Sequence, residues 1–274
     1  MNPKISVITP TYNEAKYIGN CLKSLQDQTL SPKEIIVVDD GSTDSSVKGT
    51  TLNTHKKGST LSIKVFRQVH LGAGAARNLG AKHAVGDILV FVDADMEFDQ
   101  DFLKNLTAPI RLEKTKGTFS KQEFVKNWHN PWARAWSHCL GLKDNRLLPA
   151  SYPSIAPVFR AILKSEFDRA GGFDAHRGYD DDWSLSEKLG YQATAASDAV
   201  YYHSNPDSLI EIFHQARWRA SRKYKFGLLG KLITSVKTNL LLFWPLTLNP
   251  HFVFAKIAFI AGTQIGLFTP RVSK

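Results

Sequence analysis

The feature that most constrains the fold is the run Ile88, Leu89, Val90, Phe91 and Val92, which ends abruptly in Asp93, Ala94 and Asp95. A continuous apolar stretch of this length, rich in β-branched residues, reads as a strand buried on both faces of a parallel sheet. In open α/β sheets, ligands collect just beyond the carboxyl ends of the strands. The run therefore predicts that Asp93 and Asp95 stand on the rim of a sheet. There a hard cation, Mg2+ or Mn2+, would be held by one or two carboxylates together with substrate phosphates. The plainer alternative is an Asp-rich turn, since Asp favours turns on its own account.

Strands and helices alternate around this run. Residues 5–9, Glu34–Asp39, 63–66 and 88–92 predict strands, and 14–28 and 73–84 predict helices. In the first helix Ile18, Leu22 and Leu25 fall on one face. Such alternation implies an α/β fold with a mostly parallel central sheet flanked by helices. Right-handed crossovers then bring the segments that follow each strand to one sheet edge.

Those segments carry the polar residues. After the first strand come Pro10, Thr11, Tyr12, Asn13 and Glu14; after the second, Asp39, Asp40, Gly41, Ser42, Thr43 and Asp44. A planar base could stack on Tyr12, while a carboxylate at Asp40 accepts from a base N–H. The same second segment also reads as a turn and helix cap, with Gly41 supplying positive φ. Gly72, Ala73, Gly74, Ala75, Ala76 and Arg77 begin like a dinucleotide-binding glycine loop, but Arg77 stands where the third glycine belongs. The loop also follows the third strand rather than the first, which argues against a Rossmann cofactor site. An arginine on the first turns of a helix suits a diphosphate, whose oxygens match the guanidinium fork. A surface arginine at a helix start is the alternative.

At 274 residues the chain has room for one large domain with an appendage. Cys21 and Cys139 lie far apart with no metal-type spacing, which reads as reduced thiols in a cytosolic protein. The N-terminus enters a strand almost at once, so no cleavable signal peptide is expected. The net charge of +10 is uneven: from Tyr201 onward, ten Lys and Arg stand against Asp207 and Glu211 alone. A basic quarter leading into hydrophobic stretches suggests the anionic cytoplasmic leaflet of a membrane. Nucleic acid ranks below it as a partner, because no nucleic-acid-binding motif accompanies the charge.

Four blocks, in order and each at a strand end, resemble the signature of family 2 glycosyltransferases. They are Ile-Thr-Pro-Thr-Tyr-Asn-Glu at 8–14, Ile-Val-Val-Asp-Asp-Gly-Ser-Thr-Asp at 36–44, Gly-Ala-Ala-Arg-Asn at 74–78 and Val-Asp-Ala-Asp at 92–95. The likeness is close over residues 4–110, with a second block at 157–203. It implies a GT-A fold and inverting transfer of a sugar from a nucleotide diphosphate donor with Mn2+ or Mg2+. By the same resemblance Pro10, Tyr12, Glu14, Asp39 and Asp40 would surround the nucleoside and Arg77 would sit by the diphosphate. Asp93 would contact the ribose or the metal, and Asp95 would ligate the metal, stabilising the leaving diphosphate as a Lewis acid does.

In the second half, residues 156–163 read as a further strand. Gly171, Gly172, Phe173 and Asp174, followed by Asp180, Asp181, Asp182 and Trp183, resemble the family's Gly-Gly-Phe-Asp turn before a Glu-Asp pair. Inverting transfer needs one base to take the acceptor hydroxyl proton. The resemblance gives that role to Asp182, with Asp181 as second choice because three consecutive aspartates leave the register open by one. An acidic cap on the helix 183–189 is the structural alternative. Residues 200–203 read as a short strand ending in His203, which the resemblance offers as a further metal ligand. Gln215, Ala216, Arg217 and Trp218 resemble the Gln-x-x-Arg-Trp motif of processive relatives but are one residue short, so a single transfer is expected.

Trp128, Trp132 and Trp136, four apart, share one helical face; core packing stands ahead of a sugar platform or a membrane-facing stripe. Residues 228–248 and 251–268 are strongly hydrophobic but broken by Lys231, Lys237, Pro245 and Lys256. Two helices in the membrane interface or a shallow hairpin fit them better than a clean span, with a transmembrane segment at 251–268 as the alternative. An ordinary helical pair packed on the catalytic domain is the plain reading. The expected organisation is a catalytic domain over 1–205, divided into a nucleotide-sugar half (1–110) and an acceptor half (111–205), followed by a helical extension over 206–274. The expected function is an inverting, metal-dependent glycosyltransferase on the cytoplasmic face of the cell membrane, using a lipid-linked or envelope glycan acceptor. The rivals are a sugar-nucleotide nucleotidyltransferase and a sugar-nucleotide-binding membrane protein without chemistry. The nucleotidyltransferase reading calls for a basic glycine-rich loop after the first strand, and residues 10–14 lack one.

Overall fold

The computed structural model describes residues 3–44, 46, 61–142, 144–149, 151–177, 182–221, 224, 226–243 and 249–269. The first half runs β1 (Ile5–Thr11), α1 (Ile18–Gln26), β2 (Glu34–Asp39), β3 (Ser62–Arg67), α2 (Ala73–His83), β4 (Ile88–Phe91), β5 (Met96–Phe98), α3 (Phe102–Arg111), β6 (Gly117–Ser120) and β7 (Glu123–Val125). Then come α4 (Pro131–Cys139), β8 (Ile155–Ala156), β9 (Ala161–Leu163), α5 (Lys164–Arg169), α6 (Ser184–Leu189), β10 (Ala193–Ala196) and β11 (Tyr201–His203). The chain closes with α7 (Leu209–Ala220), α8 (Gly227–Asn239), a short 3-10 turn (Leu240–Phe243) and α9 (Pro250–Phe268). It divides into two compact units, Met1–Glu123 with Ala150–Tyr202, and Phe124–Pro149 with His203–Lys274.

The first unit is built on an eight-stranded sheet ordered β3-β2-β1-β4-β9-β6-β10-β8. β3, β2, β1 and β4 are parallel, β9 runs antiparallel between β4 and β6, and β8 runs antiparallel to β10. Strict alternation explains the continuous apolar runs, because both faces are covered. Ile5, Val7, Ile35, Val37, Ile88 and Val90 face α1 and α3, while Ile8, Ile36, Val38, Leu89 and Phe91 face α2, α5 and α6. The parallel register sets Thr11 opposite Asp39 and Ile8 opposite Phe91, so the segments after β1, β2 and β4 emerge on one edge.

At the opposite edge a buried carboxylate ties the strands together. Glu34 accepts from Ser6 Oγ at 2.5 Å, from the Val85 N–H at 2.8 Å and from Lys64 Nζ at 2.7 Å, and the Gly86 N–H donates to Ser6 Oγ at 2.8 Å.

Several predicted elements shift for local reasons. α1 begins at Ile18 rather than at 14, because the Glu14 carbonyl accepts from the Tyr17 and Ile18 N–H groups and 14–17 form a turn. The predicted strand at 156–163 is two strands, β8 and β9. Pro157 has no N–H to give a ladder, and the chain crosses from pairing with β10 to lie between β4 and β6. Trp128 precedes α4, whose start is fixed by Asn130 accepting from the Trp132 and Ala133 N–H groups and by Pro131 at the first turn.

The second unit is helical. Trp136, Ala135, Ile212, Ala216 and Ala255 form its core, with Trp132, Phe252 and Phe259 packed against it. Trp136 and Trp132 therefore act as core residues, and they draw 124–149 into this unit beside α7 and α9. Among the described residues α9 is the one helix long and apolar enough to cross a membrane, at 19 residues and a mean hydropathy of 1.4, with 44% of its apolar stretch buried.

A Cβ at Gly86 would stand 2.5 Å from the Ser6 backbone nitrogen, which cannot move aside as a side chain can. Gly86→Ala is expected to destabilise the protein by about 1–3 kcal/mol, as overpacking does, read as a lower urea midpoint. An unchanged midpoint would contradict this packing.

Candidate active site at the carboxyl edge of the sheet

Two rim loops are clamped to each other. Asn13, held at φ 55°, accepts on Oδ1 from the Thr43 N–H at 2.9 Å, and its own N–H donates to Ser42 Oγ at 3.0 Å. The Glu14 N–H donates to Ser46 Oγ at 2.8 Å. Asp39 accepts from the Ser42 N–H at 2.9 Å and pairs with Arg67 Nε at 3.3 Å, so it shapes the turn in which Gly41 takes φ 83°. Asp40 is buried and its two oxygens gather four donors. Leu71 N–H (2.8 Å) and Gln68 Nε2 (2.7 Å) reach Oδ1, and Gly72 N–H (2.8 Å) and His70 Nδ1 (2.9 Å) reach Oδ2. The His70 ring stacks on Tyr12, with centroids 4.1 Å apart.

The centre of the rim is an ion-pair chain. Arg77, on the second turn of α2 and buried, donates through Nη2 to Asp93 Oδ1 at 2.8 Å and through Nη1 to Asp182 Oδ1 at 2.9 Å. Arg160 Nη1 reaches Asp93 Oδ2 at 3.2 Å. Burial pushes Asp93 up, but the charges of Arg160 and Arg77 outweigh it and hold its carboxyl at about 2, against an ordinary 3.8. The next residue, Asn78, bonds the Phe173 backbone on both sides: Nδ2 donates to Phe173 O at 2.9 Å and Oδ1 accepts from Phe173 N–H at 2.8 Å. Gly172 lies at φ 75°, and a Cβ there would stand 2.6 Å from Asn78 Oδ1, so the Gly-Gly-Phe-Asp turn needs glycine at this position. Arg77 also stacks over the Phe173 ring at 5.7 Å. The Asp174 N–H donates to Ser184 Oγ at 2.9 Å, which joins the turn to α6 just after Asp182.

Tyr12, Glu14, Asp39, Asp40, Arg77, Asp93 and Asp182 thus belong to one set of linked loops of the first unit, with Pro10 buried at the end of β1. Asp95 stands half-buried two residues beyond Asp93. Asp181 lies outside the described residues. His203 ends β11 and falls in the second unit. Among the described residues no group of three or more His, Cys, Asp and Glu gathers as a metal cage. The carboxylates fit a Mg2+-type or Mn2+-type site that keeps its remaining positions for phosphate and water. Both Asp93 oxygens already accept from arginines. Sequence reading missed Arg160, Gln68 and His70. A lone arginine inside the apolar stretch 156–163 was the available signal for Arg160, because a buried cation needs a paired carboxylate.

A mixed sheet with a linked-loop rim of this kind is the GT-A fold. It is shared with S. aureus TarS (residues 1–349) in complex with UDP-GlcNAc, at a TM-score of 0.57 and 18% identity over 95% of this chain and 89% of that one. It is shared also with the Pyrobaculum calidifontis mannosyltransferase PcManGT in complex with GDP-Man and Mn2+, at a TM-score of 0.58 and 22% identity over 95% and 70%. The sequence model described as glycosyl transferase family 2 matches residues 6–171, and the chain belongs to that family. The Bacillus subtilis glycosyltransferase EpsJ is 39% identical over 229 residues, 77% of this chain and 64% of that protein. Other curated relatives match over a piece: the chain spans 16%, 15% and 29% of the length of three of them.

Because the folded carboxyl of Asp93 titrates below its unfolded value, its contribution to stability is present above pH ~4 and lost as pH falls toward 2. Arg160→Gln removes one of the two charges that depress it. Urea midpoints at pH 5 and pH 3 are expected to differ less in the variant than in the wild-type protein, and an equal difference would contradict the ion-pair chain.

Proposed function

We propose that this chain is an inverting, metal-dependent glycosyltransferase that moves a sugar from a nucleoside diphosphate, uridine diphosphate foremost, to an acceptor hydroxyl on a lipid-linked or envelope glycan. The observation that carries the reading is Arg77, which joins Asp93 at the strand end to Asp182 at the head of the next acidic block. A diphosphate donor brings the phosphates that a guanidinium binds well, and the paired carboxylates await a cation.

In this reading Pro10, Tyr12, Glu14, Asp39 and Asp40 surround the nucleoside. A base N–H that takes Asp40 must displace Gln68 or His70, because the other two donors are backbone N–H groups fixed by the start of α2. Arg77 turns toward the diphosphate. Asp95, with Asp93 as a further candidate, holds Mn2+ or Mg2+, which when bound supplies Lewis-acid stabilisation of the departing diphosphate. Asp182, or Asp181 beside it, takes the acceptor hydroxyl proton. The acceptor oxygen attacks the anomeric carbon from the side opposite the phosphate, whose bond to that carbon breaks as the nucleoside diphosphate leaves. The basic last quarter and the apolar helices of the second unit support a place on the cytoplasmic face of the cell membrane.

A sugar-nucleotide panel with Mn2+, read first by thermal shift and then by nucleoside diphosphate release, tests the proposal. One donor is expected to raise the melting temperature and to be turned over, with EDTA abolishing release. Asp182→Asn should bind that donor like the wild type and lose about 100-fold or more in transfer, the scale of a missing general base. Normal turnover in that variant would remove Asp182 from the role. Donor binding with no turnover under any condition would favour the binding protein without chemistry.

A further inference from the structure

Helix α8 is built inside out. Part of its polar face packs on α9: Ser235 Oγ donates to Gln264 Oε1 at 2.7 Å, and Gln264 Nε2 donates to Ser235 O and to Asn239 Oδ1, both at 3.2 Å. Thr238 is buried. Leu228, Leu229, Leu232, Ile233 and Val236 point outward, each between 42% and 65% exposed. An amphipathic helix in water turns its apolar stripe to the core and its polar face to solvent. α8 does the reverse. Phe254, Ile257, Ile265 and Phe268 continue the apolar surface as one stripe along α9, each between 43% and 58% exposed. An apolar surface spread over two packed helices exceeds the scattered exposure that needs no explanation.

The charges decide what covers it. α8 carries Lys231 and Lys237, neither α8 nor α9 has an acidic residue, and the one lysine of α9, Lys256, is buried within the unit. A second copy docked on α8 about a two-fold axis would set lysine against lysine with no carboxylate on either helix to pair them. An anionic lipid surface complements them, and lysine stems can reach headgroups from an immersed helix.

The packing of α9 decides how the helices lie. A Cβ at Gly262 would stand 2.3 Å from Phe213 O, and one at Gly266 would stand 2.1 Å from Arg217 O, so this face of α9 is sealed on the α7 backbone. α7 carries Glu211, His214, Arg217 and Arg219. If α9 crossed a bilayer it would carry those groups to hydrocarbon depth, where each is strongly disfavoured.

We propose that the helical unit is monotopic: α8 and the outer stripe of α9 lie in one leaflet of an anionic bilayer, with Lys231 and Lys237 at headgroup level, and α9 does not cross. This rests on the membrane-surface reading above and goes further by naming the immersed face and excluding a span.

The full-length chain is tested on preformed vesicles of phosphatidylcholine with and without phosphatidylglycerol. The wild type is expected to float with the anionic vesicles and to resist extraction at alkaline pH. Leu229→Glu with Leu232→Glu should lower partitioning about 100-fold or more, the scale of withdrawing two leucines from hydrocarbon. An unchanged melting temperature confirms that the double variant is folded. Asn249→Cys, at one end of α9, and Ser273→Cys, past its other end, should both react with a membrane-impermeant maleimide added outside sealed vesicles, against a low background from the buried Cys21 and Cys139. Protection of one end until the vesicles are lysed would mean a span and overturn the proposal. So would a wild type that ignores vesicles, or one that forms a dimer lost in the double variant. Uridine diphosphate binding, measured on the same samples, reports separately on the transferase reading.

Discussion

The guanidinium of Arg77 is the interaction on which the rim depends. A buried arginine is stable only when its charge is met, and its two partners lie 16 and 105 residues away in sequence. Meeting that charge draws the end of β4 and the head of α6 to the same point. Asn78 reinforces this one residue later, because its amide pairs with the Phe173 backbone much as a neighbouring strand would. The Arg77–Asn78 pair is thus one device with two arms, the first electrostatic and the second geometric.

In the proposed reading, the same device prepares the site for a ligand of mixed charge. Arg77 and Arg160 meet the carboxylates of Asp93 and Asp182 within the protein itself. A nucleoside diphosphate with a divalent cation offers both signs again, phosphate to the guanidinium and metal to the carboxylates. Binding would then exchange ion pairs rather than bury a new unpaired charge, which is the costly step in a low-dielectric site. The opposite sheet edge shows the contrast: Glu34 has its oxygens filled by Ser6, Val85 and Lys64, and it serves only to tie strands together.

Much of this architecture was legible in the residues. Runs such as Ile35 to Val38 and Ile88 to Val92 read as doubly buried strands because β-branched residues leave few other options at that length. Arg77 in place of a third glycine marked the position on which the ion-pair chain is centred. Long-range pairing was not legible. Nothing local tells that Arg160 turns to Asp93, or that Gln68 and His70 fold back on Asp40, since those contacts depend on how β9 and the 68–72 loop are placed by the rest of the sheet. The tryptophan spacing misled in part, because Asn130 and Pro131 start α4 after Trp128. The hydrophobic tail showed its composition but not its polarity: only the folded unit reveals that Ser235 and Gln264 face inward while the leucines of α8 face out.

The most direct test of the central claim is a crystal structure of the chain with uridine diphosphate and Mn2+. The account predicts the diphosphate beside Arg77, the ion on Asp95 and the base on Tyr12, with the Arg77–Asp182 bond lengthened or broken. A nucleotide bound away from this rim, with Arg77 still closed on Asp93 and Asp182, would contradict it.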